Sequence, residues 1–106
     1  AQNVDAIEYR KNLGELRQVL EEEKRLREMQ DEAGLTRFNS SNLKLVLLAR
    51  RGEQLERSFT SMRRQIDAIR NSDAPMVDKR QREIQTRDRI NEMQKAFNRD
   101  VKRSRP

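Results

Sequence analysis

The sequence predicts an all-α protein of three long helices, either an elongated antiparallel three-helix bundle or a helical-hairpin coiled coil. The first observation behind this prediction is that the 106 residues include only three glycines and two prolines, so few positions interrupt a helix. The second is that 40% of the residues are charged and 4% are aromatic, a composition typical of long, solvent-exposed helices. The third is that apolar residues recur at intervals of three and four, which is the spacing of one helix face.

We treat residues 1–106 as a single domain. Two short interruptions divide it into three helices, predicted at about 4–33, 41–70 and 75–102. Gly34 is expected to end the first helix, because glycine adopts a positive φ without steric cost. Pro75 suits the first turn of the third helix, and Asp73 is the expected cap of that helix.

The second helix carries the clearest packing pattern. Its apolar residues alternate spacings of three and four over four heptads, which predicts a coiled-coil-type seam. Gly52 stands in this seam where a large residue is expected, as a tolerated defect or mild bend, or as a close helix approach or a notch that receives a partner side chain. The predicted seam consists of Leu45, Leu48, Gly52, Leu55, Phe59, Met62, Ile66 and Ile69.

The first and third helices have weaker apolar stripes. In the third helix, Val77 and Ile84 lie on a different face from the apolar residues nearer its end. A chain this short and this poor in apolar residues forms a limited core. We therefore expect the core to be completed by self-association or by a partner protein. The residues of the other face are Ile90, Met93, Phe97 and Val101.

Positive charge is concentrated in the second half of the chain. Residues 1–50 contain nine basic and nine acidic residues, whereas residues 51–106 contain fifteen and nine, which accounts for the net charge of +6. This charge is consistent with a solvated helix surface, an acidic protein partner, or a nucleic acid or anionic membrane. Basic and acidic residues are interleaved, and no aromatic residues are arranged beside them for base stacking, which disfavours nucleic acid as the ligand. The candidate partner-binding residues are Met93, Phe97, Arg63, Arg64, Arg80, Arg82, Arg87 and Arg89.

The chain contains no cysteine and no histidine, which excludes thiol, zinc-finger and histidine-dependent catalytic sites. It also has no glycine-rich phosphate loop, and the acidic run at 21–23 does not have the spacing of a calcium loop. We therefore predict a non-enzymatic protein-interaction or scaffold module with no cofactor, metal ion or small-molecule substrate. Because the chain shows neither a long apolar run nor an amino-terminal signal pattern, we expect it in the cytoplasm.

The segment DKRQREIQTRDRI, Asp78–Ile90, follows a short turn that contains Pro75. It resembles the start of the third helix in the amino-terminal three-helix domain of endosomal-type syntaxins. This resemblance implies a regulatory domain that controls SNARE assembly and binds a trafficking partner, and it assigns no functional residues.

Overall fold

The computed structural model describes residues 3–33 and 40–105, with side-chain surroundings for residues 3–29 and 43–105. It consists of three α-helices, α1 (Val4–Ala33), α2 (Ser40–Arg70) and α3 (Met76–Ser104). The described residues include no β-strand. The predicted all-α fold of three long helices is therefore confirmed.

The start of α3 is determined by Pro75. This proline occupies the cap position with φ −57° and ψ 145°, and Met76 is the first helical residue. Asp73 was wrongly predicted as the cap, since no side-chain hydrogen bond caps α3. Gly34, the expected end of the first helix, lies outside the described residues.

α1 and α2 run antiparallel. Arg17 of α1 donates to Glu53 of α2 at 2.5 Å, and further along α1, Glu23 accepts from Arg50 at 3.2 Å. Each helix contacts both others, and the molecule measures 62 × 28 × 17 Å. The predicted elongated bundle is confirmed, because all three helices lie roughly along one long axis.

α3 runs parallel to α1 and is offset from it. Asn3 at the beginning of α1 donates to Asn91 at 2.9 Å, and Asn12 donates to Asn98 at 3.0 Å. Because Asn3 is the first described residue and already lies beside Asn91, residues 76–90 of α3 extend past the described start of α1. This offset exposes the first half of α3 on the side that α1 covers further along.

Each helix contributes one aromatic side chain to the centre of the core. The ring of Tyr9 packs edge-on against Phe59 and Phe97, with centroids 5.4 and 5.5 Å away. The Tyr9 hydroxyl donates to Glu56 at 2.7 Å, and burial together with this carboxylate raises the pKa of Tyr9. The other buried members of this cluster are Leu13, Leu16, Ala49, Met62, Ile90 and Val101.

α2 contacts both other helices, so it buries a wider face than a two-helix seam requires. Val46 and Ala49, which lie outside the predicted seam, are only 2% and 0% exposed. Gly52 is a notch, because the side chains of Leu13 and Phe97 pack directly against it. Within the predicted seam, Gly52, Phe59, Met62 and Ile66 are buried, and Leu45, Leu48, Leu55 and Ile69 are partly buried.

A buried polar contact joins α1 to α3. The Asn12 side chain donates to the side-chain oxygen Oδ1 of Asn98 at 3.0 Å. The side-chain nitrogen of Asn98 donates to the backbone carbonyl of Asp5, also at 3.0 Å. An amide left unpaired in a core is unfavourable, so these two bonds favour one register of α1 on α3.

Candidate functional site

One row of positions on α3 faces α1. Asn91 and Asn98 accept hydrogen bonds from α1, while Gln94 and Val101 border cavities together with α1 residues. The same row continues toward the start of α3 at alternating spacings of three and four. We call this row the α1-facing seam; it consists of Val77, Arg80, Ile84, Arg87, Asn91, Gln94, Asn98 and Val101.

The first half of the α1-facing seam is open to solvent, because α1 begins beside its middle. Val77 is 77% exposed and Ile84 is 52% exposed, and the neighbouring Met76 is 69% exposed. With Arg80 and two glutamines, these side chains form one exposed stripe along α3. We call Met76, Val77, Arg80, Ile84 and Arg87 the open face.

The polarity along the seam is the reverse of what solvent exposure favours. The half that α1 covers carries Asn91, Gln94 and Asn98, whereas the exposed half carries Val77 and Ile84. Exposed apolar residues grouped on one helix face mark interaction surfaces, whereas scattered ones are common on any protein. The open face is therefore a candidate binding surface.

The four arginines of α3 that the sequence suggested as one surface lie on opposite sides of the helix. Since each residue turns an α-helix by about 100°, Arg80 and Arg87 lie within about 20° of each other, and Arg82 and Arg89 lie about 180° away. All four side chains are exposed. A ligand on the open face would reach Arg80 and Arg87 but not the other pair.

The two candidate arginines of α2 also differ in their surroundings. Arg63 borders a cleft between the three helices, where it is joined by Arg87 from the open face. Arg64 is exposed and lies outside that cleft. Neighbouring positions in the sequence therefore present their charges to different surfaces.

Phe97 belongs to the core and not to a binding surface. Its side chain is 0% exposed and packs between Tyr9 of α1 and Gly52 of α2. A partner has no access to a ring enclosed by three helices, which corrects the assignment of Phe97 to the partner-binding residues. Met93 is partly buried and packs against the same core.

The helical spacing places Val77 and Ile84 on a separate face of α3, although they are not among the predicted binding residues. The available signal was the seven-residue spacing that leads from Val77 through Ile84 to Asn91 and Asn98. This spacing indicates an exposed seam only when the start of α1 is known to lie beside Asn91.

Across residues 3–29 and 43–105, no group of three or more His, Cys, Asp or Glu side chains is placed to hold a metal ion. None of the helices, where described, combines the length and apolarity needed to cross a membrane. Comparisons with known protein families, with curated sequences and with solved structures gave no significant match.

Proposed function

We propose that this chain is a non-catalytic protein-interaction module whose open face binds a helix of another protein. The observation that carries the proposal is the continuation of the α1-facing seam past the start of α1. The beginning of α1 covers Asn91 and Gln94 of α3. Toward the start of α3, where α1 no longer lies alongside, the same seam exposes Val77 and Ile84. A partner helix that continues the line of α1 would complete the three-helix cross-section there.

The open face defines the chemistry of this partner. Val77 and Ile84 need apolar side chains to cover them, while Arg80 and Arg87 favour acidic side chains opposite. The interval from Met76 to Arg87 corresponds to about three turns, or roughly 17 Å of helix. The partner segment is thus an amphipathic helix of about three turns with a narrow apolar stripe flanked by acidic residues.

The contact is expected to be weak and reversible. Burial of one valine and one isoleucine contributes at most about 1.5–3 kcal/mol each. Association costs several kcal/mol of lost translational and rotational freedom, so an affinity in the micromolar range or weaker is expected. Small interfaces of this kind are typical of transient complexes.

A nucleic acid or anionic membrane is less well supported as the ligand. Arg82 and Arg89 lie on the opposite side of α3 from Arg80 and Arg87, so the helix has no continuous basic face. Phosphate binding would depend steeply on salt concentration, whereas covering an apolar face would not. Salt-sensitive retention on heparin that persists in an Ile84→Glu variant would favour this alternative.

The test uses a fluorescent synthetic helix with leucines facing Val77 and Ile84 and glutamates facing Arg80 and Arg87. A second peptide has the same composition in a shuffled order that removes the apolar stripe. Fluorescence anisotropy should detect saturable binding of the first peptide only. Ile84→Glu should abolish this binding, and Arg80→Glu should weaken it by about tenfold. Exchanging the facing glutamate of the peptide for lysine should restore binding to the Arg80→Glu variant.

Arg82→Glu is the matched control, since it makes the same charge change on the opposite side of α3. Its affinity for the first peptide should equal that of the unchanged protein. Equal binding of the shuffled peptide, or full binding by the Ile84→Glu variant, would show that the open face is not the docking surface.

A further inference from the structure

A concave site lies where the beginning of α1 meets α2 and α3. This cleft has a volume of about 520 Å³, and all three helices border it. Two buried isoleucines, Ile66 and Ile90, line it and are 3% and 8% exposed. α1 contributes Asn3 and Ala6 to its wall. The cleft is therefore a built feature of the bundle and not a gap between mobile side chains.

The rim of this cleft is basic. Arg10, Arg63, Arg70 and Arg87 border it, against a single acidic lining residue, Asp67. Arg70 and Arg87 share an ion pair with a neighbouring glutamate. Arg10 and Arg63, by contrast, form no ion pair with any described residue. Two guanidinium groups on facing helices thus retain their hydrogen-bond donors for a ligand.

A buried amide without a protein partner lines the same cleft. Gln94 is 3% exposed, and its side chain makes no hydrogen bond with a described residue. No enclosed side-chain nitrogen or oxygen in the described part of the chain lacks a partner, so the amide of Gln94 is not fully enclosed, and Gln94 lines the cleft. An amide in this position has two N–H groups to donate to a bound group.

The first turn of α1 brings backbone N–H groups to the cleft, alongside the carboxylate of Asp5 in the same turn. The helix begins at Val4, and the side-chain oxygen of Asn3 accepts a hydrogen bond from the backbone N–H of Ala6 at 3.1 Å. Other N–H groups in a first turn have no partner within the helix, and the helix dipole favours a negative group nearby. Asn3 and Ala6 both border the cleft, so this first turn lies beside its contents.

We infer that the cleft binds an oxyanion, a phosphate or carboxylate group, held by Arg10 and Arg63 with the Gln94 amide donating to it. Arginine is suited to this role because its planar guanidinium can donate two parallel hydrogen bonds to one oxyanion. The inference goes beyond the proposed helix binding, since it does not involve the apolar residues Val77 and Ile84.

The experiment is an NMR titration of the ¹⁵N-labelled full chain with inorganic phosphate, and in a separate arm with acetate, against chloride at equal ionic strength. The side-chain amide signal of Gln94 should shift and saturate. Arg63→Gln should weaken binding by about tenfold, because a charge-assisted hydrogen bond is lost. Arg64→Gln, the neighbouring exposed arginine outside the cleft, should bind as the unchanged protein does.

The two arms distinguish the sources of the oxyanion. If phosphate saturates the Gln94 shift and acetate does not, the ligand carries a phosphate group. If both anions saturate it, the site also takes carboxylates. The inference would be overturned if the shifts do not saturate or if chloride reproduces them. It would also be overturned if Arg63→Gln and Arg64→Gln change the shifts equally. Ile84→Ala, which adds no charge beside Arg87, should leave the titration unchanged, so failure of the helix-binding proposal and failure of this one are distinguishable.

Discussion

The δ1 carbon of Leu13 lies in the space where a side chain on Gly52 would begin: a Cβ atom at Gly52 would be 2.7 Å from it. The same Cβ atom would lie 3.1 Å from the ζ carbon of Phe97. Leu13 is 3% exposed and Phe97 is 0% exposed, so both side chains are held within the core. α1 and α3 therefore both pack against the backbone of α2 at this glycine.

Gly52→Ala should destabilise the protein by about 1 kcal/mol. Overpacking of a core costs about 1–3 kcal/mol, which outweighs the roughly 1 kcal/mol that alanine gains in helix propensity. Gly14→Ala is the matched control, since Gly14 is exposed and a Cβ there would meet no atom within 4 Å. This variant should be stabilised by about 0.5–1 kcal/mol. Urea denaturation measures both changes, and stabilisation of both variants would contradict the close approach at Gly52.

Phe97→Ala should lower the free energy of unfolding by about 3–5 kcal/mol, the cost of removing a fully buried aromatic ring. Part of this loss is the edge-on contact with Tyr9, 5.5 Å between ring centroids. Arg89→Ala, on the exposed side of the same helix, should change stability by less than about 0.5 kcal/mol. Similar denaturation midpoints for the two variants would show that Phe97 is not a core residue.

The buried amides of Asn12 and Asn98 should behave as a coupled pair. Asn12→Leu leaves the side-chain oxygen of Asn98 without its donor, and Asn98→Leu leaves the side-chain N–H of Asn12 without its acceptor, each at a cost of about 1–3 kcal/mol. The double variant should lose clearly less than the two single losses added together, because neither amide remains. Thermal or urea unfolding of the four proteins gives the coupling energy. Strict additivity would mean that the hydrogen bond between them contributes nothing.

Glu83 of α3 accepts hydrogen bonds from Arg70, the last residue of α2, at 2.5 Å and from Arg87 of its own helix at 3.1 Å. It therefore links α2 to α3. These bonds, chiefly the one from Arg70, lower the pKa of the Glu83 carboxyl below its usual 4.5. A lowered pKa in the folded state means that the contribution to stability is present above pH 4.5 and is lost as the pH falls through the lower value.

Arg70→Gln should therefore raise the pKa of Glu83 toward 4.5, as measured by NMR titration of the side-chain carboxyl carbon. Arg64→Gln, which removes a charge from an exposed position elsewhere on α2, is the control and should leave this pKa in place. An unchanged Glu83 pKa in the Arg70→Gln protein would contradict the ion pair.

The open face should also give the isolated chain a tendency to self-associate, because Val77 and Ile84 remain exposed without a partner. Light scattering should show an average mass that rises with protein concentration. Ile84→Glu should reduce this rise, whereas Arg82→Glu should not. A monomer mass at every concentration, together with a sharp cooperative melt, would contradict the expectation that this chain needs a second copy or a partner.

The sequence by itself determined the three helices and, to within one residue, where they begin. Pro75 acts on the backbone of its immediate neighbours, and the apolar periodicity of α2 is a property of one helix, so both can be read without knowing the fold. The separate face of Val77 and Ile84 was also visible, because helical rotation follows from spacing. These features depend on residues within about two turns of each other.

The tertiary structure decided which helix covers each face. Phe97 lies in the core because it meets Tyr9, and Ile84 is exposed because α1 starts beside Asn91. The same offset of α1 against α3 creates both the open face and the basic cleft. No local pattern specifies that offset, since it depends on contacts between residues far apart in the chain, such as the hydrogen bond from Asn12 to Asn98.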